Sequence, residues 1–214
     1  MLGVTIGDKH TYYDLGLLLK RYPEITPPNP KKKFVDVPGA DGALDISRVL
    51  TGFMLYDRRK ISMEFNILAP RDQWSEIHAG VMDELHGLEL DVTLDDDPEF
   101  CYTGIVSVKG FDPQKVTSGV TIEVDAEPYK TRIEPTRRTF TVNGSHMATI
   151  TGGRKPVCPL ITASAAMQMT FGGASYSLAK GDNSFPGVIL RHGSNAFTFT
   201  GDGTVAFEYR EGRF

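Results

Sequence analysis

The sequence predicts a mainly β protein with two domains. The first is an α+β N-terminal domain, a β-barrel or β-sandwich with one α-helix, and the second is a C-terminal β-sandwich. Short apolar segments alternate with turn residues through most of the 214 residues. Helical spacing of apolar residues occurs in one segment, at about 70–86. Beyond residue 139, strand-like segments recur with turns about every 8–12 residues, as they do in β-sandwiches.

The N-terminal domain is predicted to cover residues 1–132 and to consist largely of strands. Its clearest strand lies at 60–68, where apolar residues alternate with polar ones and therefore share one buried face. These apolar residues are Ile61, Met63, Phe65 and Ile67. Further strands are predicted at 34–37, 88–94, 100–108 and 116–126. The acidic turn Asp95–Pro98 is predicted to join two of them as a hairpin.

The predicted helix over about 70–86 has one apolar stripe. Its members are Trp74, Ile77, Val81 and Leu85, with Met82 beside them. Pro70 suits the first turn of a helix, and Gly87 suits the left-handed position just past the end.

The C-terminal domain is predicted to cover residues 133–214, after a polar boundary at 130–138. Its predicted strands are 139–142, 147–151, 157–162, 167–171, 174–178, 187–191, 196–200 and 204–209. We interpret Gly144–Met147 as a turn before one of these strands. The frequent aromatic residues are predicted mainly to fill the core of the sandwich, although a lectin would place some of them on its surface.

Composition excludes several classes of protein. Hydrophobic residues make up 40% of the chain and charged residues 23%, which is typical of a globular protein and not of a disordered one. No apolar run is long enough to span a membrane. The net charge of −4 disfavours nonspecific electrostatic binding to nucleic acid. The first residues lack a secretory signal, so we expect synthesis in a cytosol. Cys101 and Cys158 are expected to be free thiols.

No catalytic, cofactor-binding or metal-binding motif is recognisable. Asp95, Asp96 and Asp97 lack the alternating ligands of a calcium loop and are interpreted as a solvated turn. His78 and His86 are spaced poorly for a shared metal on one helix. Nucleophile elbows, phosphate loops and dinucleotide fingerprints are missing from the sequence. We therefore predict a protein that is not an enzyme and has no cofactor; a cell-wall hydrolase would need a nucleophile or paired carboxylates.

Two segments are candidates for subunit contacts, the proline-rich stretch 23–30 and the loop 38–58. Lysines beside the strand at 34–37 are interpreted as an edge or subunit contact rather than a nucleic-acid site. The apolar residues Leu50, Phe53, Met54, Leu55 and Tyr56 would form a patch that needs a partner if they are exposed. The alternative is that this loop folds back on its own domain. The candidate interface residues are Lys31, Lys32, Lys33, Phe53, Met54 and Tyr56.

An ordered set of short segments supports a family resemblance. They are FVDVPGADGALDI at 34–46, the strand 59–67, the helix end at 85–87, FCYTG at 100–104, AEPYK at 126–130 and YREGRF at 209–214. In this order they resemble the distal tail protein (Dit) family of phages and prophages with long, non-contractile tails, chiefly those of Gram-positive hosts. The resemblance is strongest over 34–130.

The resemblance implies a structural role at the virion tail tip, after synthesis in the host bacterial cytoplasm. Members form a homo-hexameric ring that joins the tail tube protein to the tail-associated baseplate hub protein and carries receptor-binding proteins. DNA only passes through the channel of the ring, and no membrane is involved. The C-terminal domain is expected to be a galectin-like or carbohydrate-module-like sandwich. No catalytic residues come with the family.

The alternative function is a carbohydrate-binding module that recognises glycans on the host surface. Relatives with extra sugar-binding modules carry them as insertions in the second domain. The predicted second domain, 133–214, has no long insertion. Direct carbohydrate binding is therefore not the favoured expectation.

Overall fold

The computed structural model describes residues 3–39, 41–111 and 119–214. Its contacts divide the chain into two compact units, Met1–Pro128 and Tyr129–Phe214. The fold is mainly β, as predicted. In the described part of the first unit the strands are β1 (Val4–Ile6), β2 (Lys9–His10), β3 (Leu17–Leu19), β4 (Glu24–Ile25), β5 (Phe34–Asp36), β6 (Ala43–Asp45), β7 (Arg59–Ile67), β8 (Glu89–Leu94), β9 (Phe100–Phe111) and β10 (Gly119–Ala126).

Most strands of the first unit form one antiparallel sheet in the order β2-β1-β8-β9-β10-β7-β3, and β4 also pairs with β7. The register places Ile61 opposite Val124, and Met63 opposite Ile122. Side chains alternate across a strand, so this register puts the predicted apolar face of β7 into the core. Ile61, Met63 and Phe65 are fully buried there. The predicted hairpin is confirmed, since β8 and β9 pair on either side of the acidic turn.

The predicted helix is confirmed as well. One 3₁₀ turn, Arg71–Gln73, leads into α1, Trp74–Leu85. Trp74, Val81 and Leu85 are buried, and Ile77 and Met82 pack against the same core. Gly87 follows with a φ of +80°, the left-handed conformation expected just past the helix end. His86 lies just past α1, so only His78 of the two histidines expected on the helix lies within it.

The second unit has its own core and its own sheet. The strands are β11 (Lys130–Arg132), β12 (Thr136–Gly152), β13 (Leu160–Ala163), β14 (Met167–Phe171), β15 (Ala174–Leu178), β16 (Gly181–Asn183), β17 (Gly193–Tyr209) and β18 (Gly212–Arg213). The six-stranded sheet of this unit has the order β15-β14-β17-β13-β16, with β12 along β17, and β11 and β18 pair with each other outside that sheet. Val142, Ile161, Met169 and the phenylalanines of β17 fill the core.

Two long strands replace four predicted short ones. β12 and β17 pair without interruption from Thr136↔Tyr209 to Gly152↔Gly193. The expected turn at 144–147 is wrong, because Gly144 lies within β12 and its N–H donates to Asp202 Oδ1 at 2.9 Å. Gly144 has a φ of +71°, and Gly201 and Gly203 in β17 have values near +140°. These glycines therefore bend the two strands instead of ending them.

Other predictions need correction or fall outside the described residues. The expected strand at 187–191 is wrong, since Leu190 forms only an isolated bridge with Val157. The polar stretch 130–138 holds β11 and the start of β12, and β16 carries no sequence signal we recognised. Residues 116–118 of the strand predicted at 116–126 are outside the described residues. No described helix is long and apolar enough to cross a bilayer.

Candidate subunit interface

The first unit carries a two-stranded ribbon that is separate from its main sheet. β5 and β6 pair antiparallel, with Phe34 opposite Asp45 and Val35 opposite Leu44. Among the described residues, neither strand pairs with the main sheet. We call the described part of residues 29–57, which contains this ribbon, the arm. The loop expected at 38–58 is thus partly a β-hairpin, because β6 lies within it.

Backbone hydrogen bonds hold the two sides of the arm together at its base. Pro30 and Tyr56 form an antiparallel bridge. The N–H of Lys31 donates to the carbonyl of Leu55, and that of Asp57 to the carbonyl of Asn29, each at 2.8 Å. Lys31 Nζ also lies 3.5 Å from Asp57 Oδ1. At its base the arm therefore consists of two hydrogen-bonded segments rather than a free loop.

A small polar cluster continues this pairing toward the ribbon. The N–H of Lys33 donates to Ser47 Oγ at 2.7 Å, and the N–H of Ile46 donates to the carbonyl of Lys33 at 2.9 Å. Ser47 donates to the Asp45 carboxylate from its hydroxyl and its N–H, and these bonds lower the pKa of Asp45 below its ordinary value. Because the cluster faces solvent, it sets local geometry and adds little to the stability of the fold.

Large apolar side chains of the arm are exposed to solvent. Leu50 is 98% exposed, Val49 72%, Leu44 59% and Phe34 54%. Val35, Val37 and Leu55 are exposed to a smaller degree. Val35 and Leu44 lie opposite each other and share a face of the ribbon, while Phe34 lies on the other face. Both faces therefore expose apolar surface, which marks interaction sites in soluble proteins.

The structure places all six candidate interface residues on the arm. Lys31, Lys32 and Lys33 are exposed, next to β5. Phe53, Met54 and Tyr56 are only half-buried, on the returning segment. That these residues contact another subunit stays a prediction.

Sequence reasoning missed the most exposed apolar residues of the ribbon, Phe34 and Leu44. The sequence pattern predicts the strand at 34–37 but not its partner β6. The turn residues Pro38, Gly39 and Gly42 between them gave the signal for a hairpin. Within the described parts of the chain no third strand pairs with this short hairpin, which leaves both of its faces exposed.

The other candidate segment, 23–30, belongs largely to its own unit. β4 pairs with β7, with Ile25 opposite Ile61. Arg59 Nε donates to the carbonyl of Thr26 at 2.9 Å, and Pro23 is buried. Burial lowers the pKa of Arg59, whose guanidinium also lies over the ring of Tyr102. The expectation of an extended segment is correct for β4, which lies at an edge of the sheet, and a role of 23–30 in subunit contacts stays a prediction.

The histidines and cysteines occupy structural positions. His86 Nδ1 accepts a hydrogen bond from the N–H of Val108 at 3.1 Å, and His78 stacks on Phe111, where burial lowers its pKa. Cys101 is buried and Cys158 is exposed, and neither forms a disulfide. Within the described residues, no three His, Cys, Asp or Glu side chains converge as a metal site.

Comparisons with known proteins give a match among solved structures. No family model matches the chain, and no curated protein matches it by sequence. Among solved structures, the crystal structure of the Dit protein (gp 19.1) of phage SPP1 is similar. That protein is described as a paradigm of the hub adsorption apparatus in phages that infect Gram-positive bacteria. The match covers 97% of this chain and 98% of the other, with a TM-score of 0.64 and 13% sequence identity.

At this identity the match concerns three-dimensional structure and not sequence. It spans both units, so each has a counterpart in the phage protein. The chain therefore has the fold of the phage Dit protein, and the resemblance predicted from its sequence is confirmed at the level of the fold.

Proposed function

We propose that this chain is a structural protein of a phage tail tip, a distal tail protein without enzymatic activity. The observation that carries the proposal is the near-complete structural match to the SPP1 Dit hub protein. A fold alone does not fix function. The ordered motifs of the sequence and the exposed apolar arm support the same role independently.

The subunits assemble into a ring, and the arm is the contact. A ring of identical subunits needs two different faces that meet head to tail and close by rotation. The ribbon supplies one such face, because an isolated two-stranded hairpin is only marginally stable in water. Burying Phe34, Leu44 and Leu50 against a neighbour would remove their apolar surface from solvent. Lys32 and Lys33 border this surface and would select an acidic or polar rim.

In the virion this ring joins the tail tube protein to the baseplate hub protein and carries receptor-binding proteins. DNA passes through its channel without specific binding, which agrees with the net charge of −4. A protein with this role needs shaped surfaces and no reactive group.

Light scattering behind a sizing column tests self-assembly. The mass is measured across a wide concentration range, and we expect a species near six times 23.6 kDa at high concentration. A variant with Phe34→Asp and Leu44→Asp should remain monomeric. A matched variant with Met147→Asp, an exposed apolar residue of the second unit, should assemble like the wild type. A wild-type chain that stays monomeric throughout would contradict assembly without partners.

The second candidate function is a carbohydrate-binding module. An open cleft of about 560 Å³ in the second unit favours this function, since Phe171, Tyr176 and Arg191 line the cleft. Small-molecule sites combine aromatic side chains with a few polar groups that fix the orientation of the ligand. A glycan array with the full chain tests this role. Specific binding that Tyr176→Ala abolishes would establish it, and a blank array would reject it.

A further inference from the structure

Strand β12 lies in the second unit, whereas the arm belongs to the first. This strand pairs with β17 over its whole length, from Thr136 to Gly152. Among the described residues, β12 pairs with no other strand, and outside its ladder with β17 it has one isolated parallel bridge, Gly152↔His192. An unpaired edge offers a row of N–H and C=O groups to another extended chain. Proteins normally cover or charge such an edge when it is long.

A cleft of about 820 Å³ opens beside the two ends of the same strand. Arg138 and Phe140 line it from the start of β12, and Thr149 to Gly152 line it from the end. Because β12 bends at Gly144, both ends can face one cavity. Tyr209 shows that the two ends of β12 lie close together. It pairs with Thr136 at one end, and its hydroxyl donates to the carbonyl of Thr151 near the other end at 3.3 Å.

The charge of the cleft differs from that of the chain. Arg138, Arg154 and Arg213 line it together with His192, and Glu211 is the carboxylate among the lining residues. The Glu211 carboxylate already accepts a hydrogen bond from Thr136 Oγ1 at 3.2 Å. The whole chain carries a formal charge of −4, so this positive excess is local. Guanidinium groups bind carboxylates through paired, charge-assisted hydrogen bonds.

Two stacked aromatic rings lie beside these cationic side chains. The ring of Phe214 stacks on that of Tyr129 with 4.9 Å between centroids, and the Arg154 guanidinium lies 5.5 Å from the Phe214 centroid. Arginine held over an aromatic ring is oriented and stays exposed, which suits recognition of an anionic partner.

We propose that this cleft binds an extended, acidic segment of a partner protein, which adds to β12 as a further strand. Backbone hydrogen bonds along the edge supply affinity, and carboxylates on alternate residues reach Arg138 and Arg154. A second copy of this chain fits poorly, because its own β12 edge would bring further arginines to the cleft. The proposal is independent of ring formation, since it rests on the second unit alone.

The test uses a fluorescent peptide of about eight residues, a usual strand length, in which glutamate alternates with valine or threonine. A matched peptide carries lysine in place of glutamate. Binding to the full chain is followed by fluorescence anisotropy. We expect the acidic peptide to bind at least about tenfold more tightly than the lysine peptide. The variant with Arg138→Glu and Arg154→Glu should lose that preference, whereas Lys180→Glu, an exposed change outside the cleft, should keep it.

Hydrogen exchange identifies the mode of binding. The acidic peptide should slow amide exchange in β12 and leave the arm unchanged. Equal binding of both peptides, no binding of either, or protection elsewhere would overturn the proposal. Binding of sialyllactose, a small anionic sugar, in place of the peptide and with the same dependence on Arg154 would also overturn it. Peptide-independent dimerisation that slows β12 exchange would assign the edge to a second copy instead.

Discussion

The rings of Phe197 and Phe207 lie 4.9 Å apart between centroids, although both residues belong to strand β17. In a straight strand, residues at this spacing would be separated by about 33 Å. β17 must therefore fold back on itself, and Gly201 and Gly203 lie between the two rings at the bend. A single bent sheet thus encloses the core of this unit. In an ordinary β-sandwich, two separate sheets enclose the core.

This contact predicts a large loss of stability on truncation. Phe207 is fully buried, so Phe207→Ala should lower the free energy of unfolding by about 3–5 kcal/mol. Urea unfolding followed by far-UV circular dichroism measures the change. Phe34→Ala is the matched control, because that ring is exposed and its loss should cost less than about 0.5 kcal/mol. Equal effects of the two changes would contradict the assigned core.

The same variant tests whether the two units unfold separately. Trp74 is the single tryptophan and is buried in the core of the first unit. Its fluorescence therefore reports on that unit, while circular dichroism reports on both. We expect Phe207→Ala to leave the fluorescence transition of Trp74 unmoved. A fluorescence midpoint that falls together with the dichroism midpoint would show that the chain unfolds as one cooperative body.

Two glycines of the first unit should respond to alanine in opposite directions. A Cβ at Gly104 would lie 2.6 Å from the Cα of Ala126 and from the carbonyl oxygen of Asp125. These are backbone atoms of the neighbouring strand, so Gly104→Ala should destabilise by about 3 kcal/mol. A Cβ at Gly80, in α1, meets nothing within 4 Å. Gly80→Ala should therefore stabilise by about 0.5–1 kcal/mol.

Thermal unfolding of the two variants measures this difference. Loss of stability in Gly80→Ala would show that α1 is more crowded than the structure describes. A neutral Gly104→Ala would show that β9 and β10 are further apart.

Glu123 makes stability depend on acid pH. Lys60 Nζ lies 2.6 Å from one oxygen of its carboxylate and Lys109 Nζ 2.9 Å from the other. Hydrogen bonds from Lys60 and Lys109 lower the pKa of Glu123 in the folded state below its ordinary value of 4.5. The resulting stabilisation is present above pH 4.5 and is lost as the pH falls through the lowered folded pKa.

Glu123→Gln should remove this contribution, about 1 kcal/mol for a pair near the surface. The unfolding free energy of the Glu123→Gln variant, measured at steps from pH 6 down to about pH 3, should therefore fall less steeply than that of the wild type. Glu84→Gln, on the exposed side of α1, is the control and should keep the wild-type slope. An unchanged slope in Glu123→Gln would contradict the network.

The arm should matter for assembly and not for folding. Leu50 is almost fully exposed, so Leu50→Asp should change the free energy of unfolding by less than about 0.5 kcal/mol. If Leu50 is buried between subunits, the same change should weaken association by roughly tenfold or more. Sedimentation velocity measures association. Normal association of Leu50→Asp would remove this residue from the interface.

Regular elements with clear periodicity were predictable from sequence. The alternation in β7 and the apolar stripe of α1 each follow directly from burial of one face. The acidic turn between β8 and β9 was predictable because proline and aspartate favour turns. The lysines and the returning segment of the arm were also predicted as candidates for a contact.

The rest depended on tertiary structure. Gly144 and Gly201 look like turn residues in the sequence, and only their partner strand shows that they bend a continuous ladder. β6 has no alternating pattern of its own, since neither of its faces is buried, and only the turn residues before it indicate a hairpin. The exposure of Phe34 and Leu44 follows from the absence of a third strand beside the ribbon in the described residues, which local pattern does not encode.

Negative-stain electron microscopy of the purified chain at high concentration tests the central claim most directly. The account predicts closed rings of identical subunits around a central channel, and loss of those rings in the variant with Phe34→Asp and Leu44→Asp. Open filaments, or single subunits that persist at every concentration, would contradict the claim that the chain closes a ring through its arm.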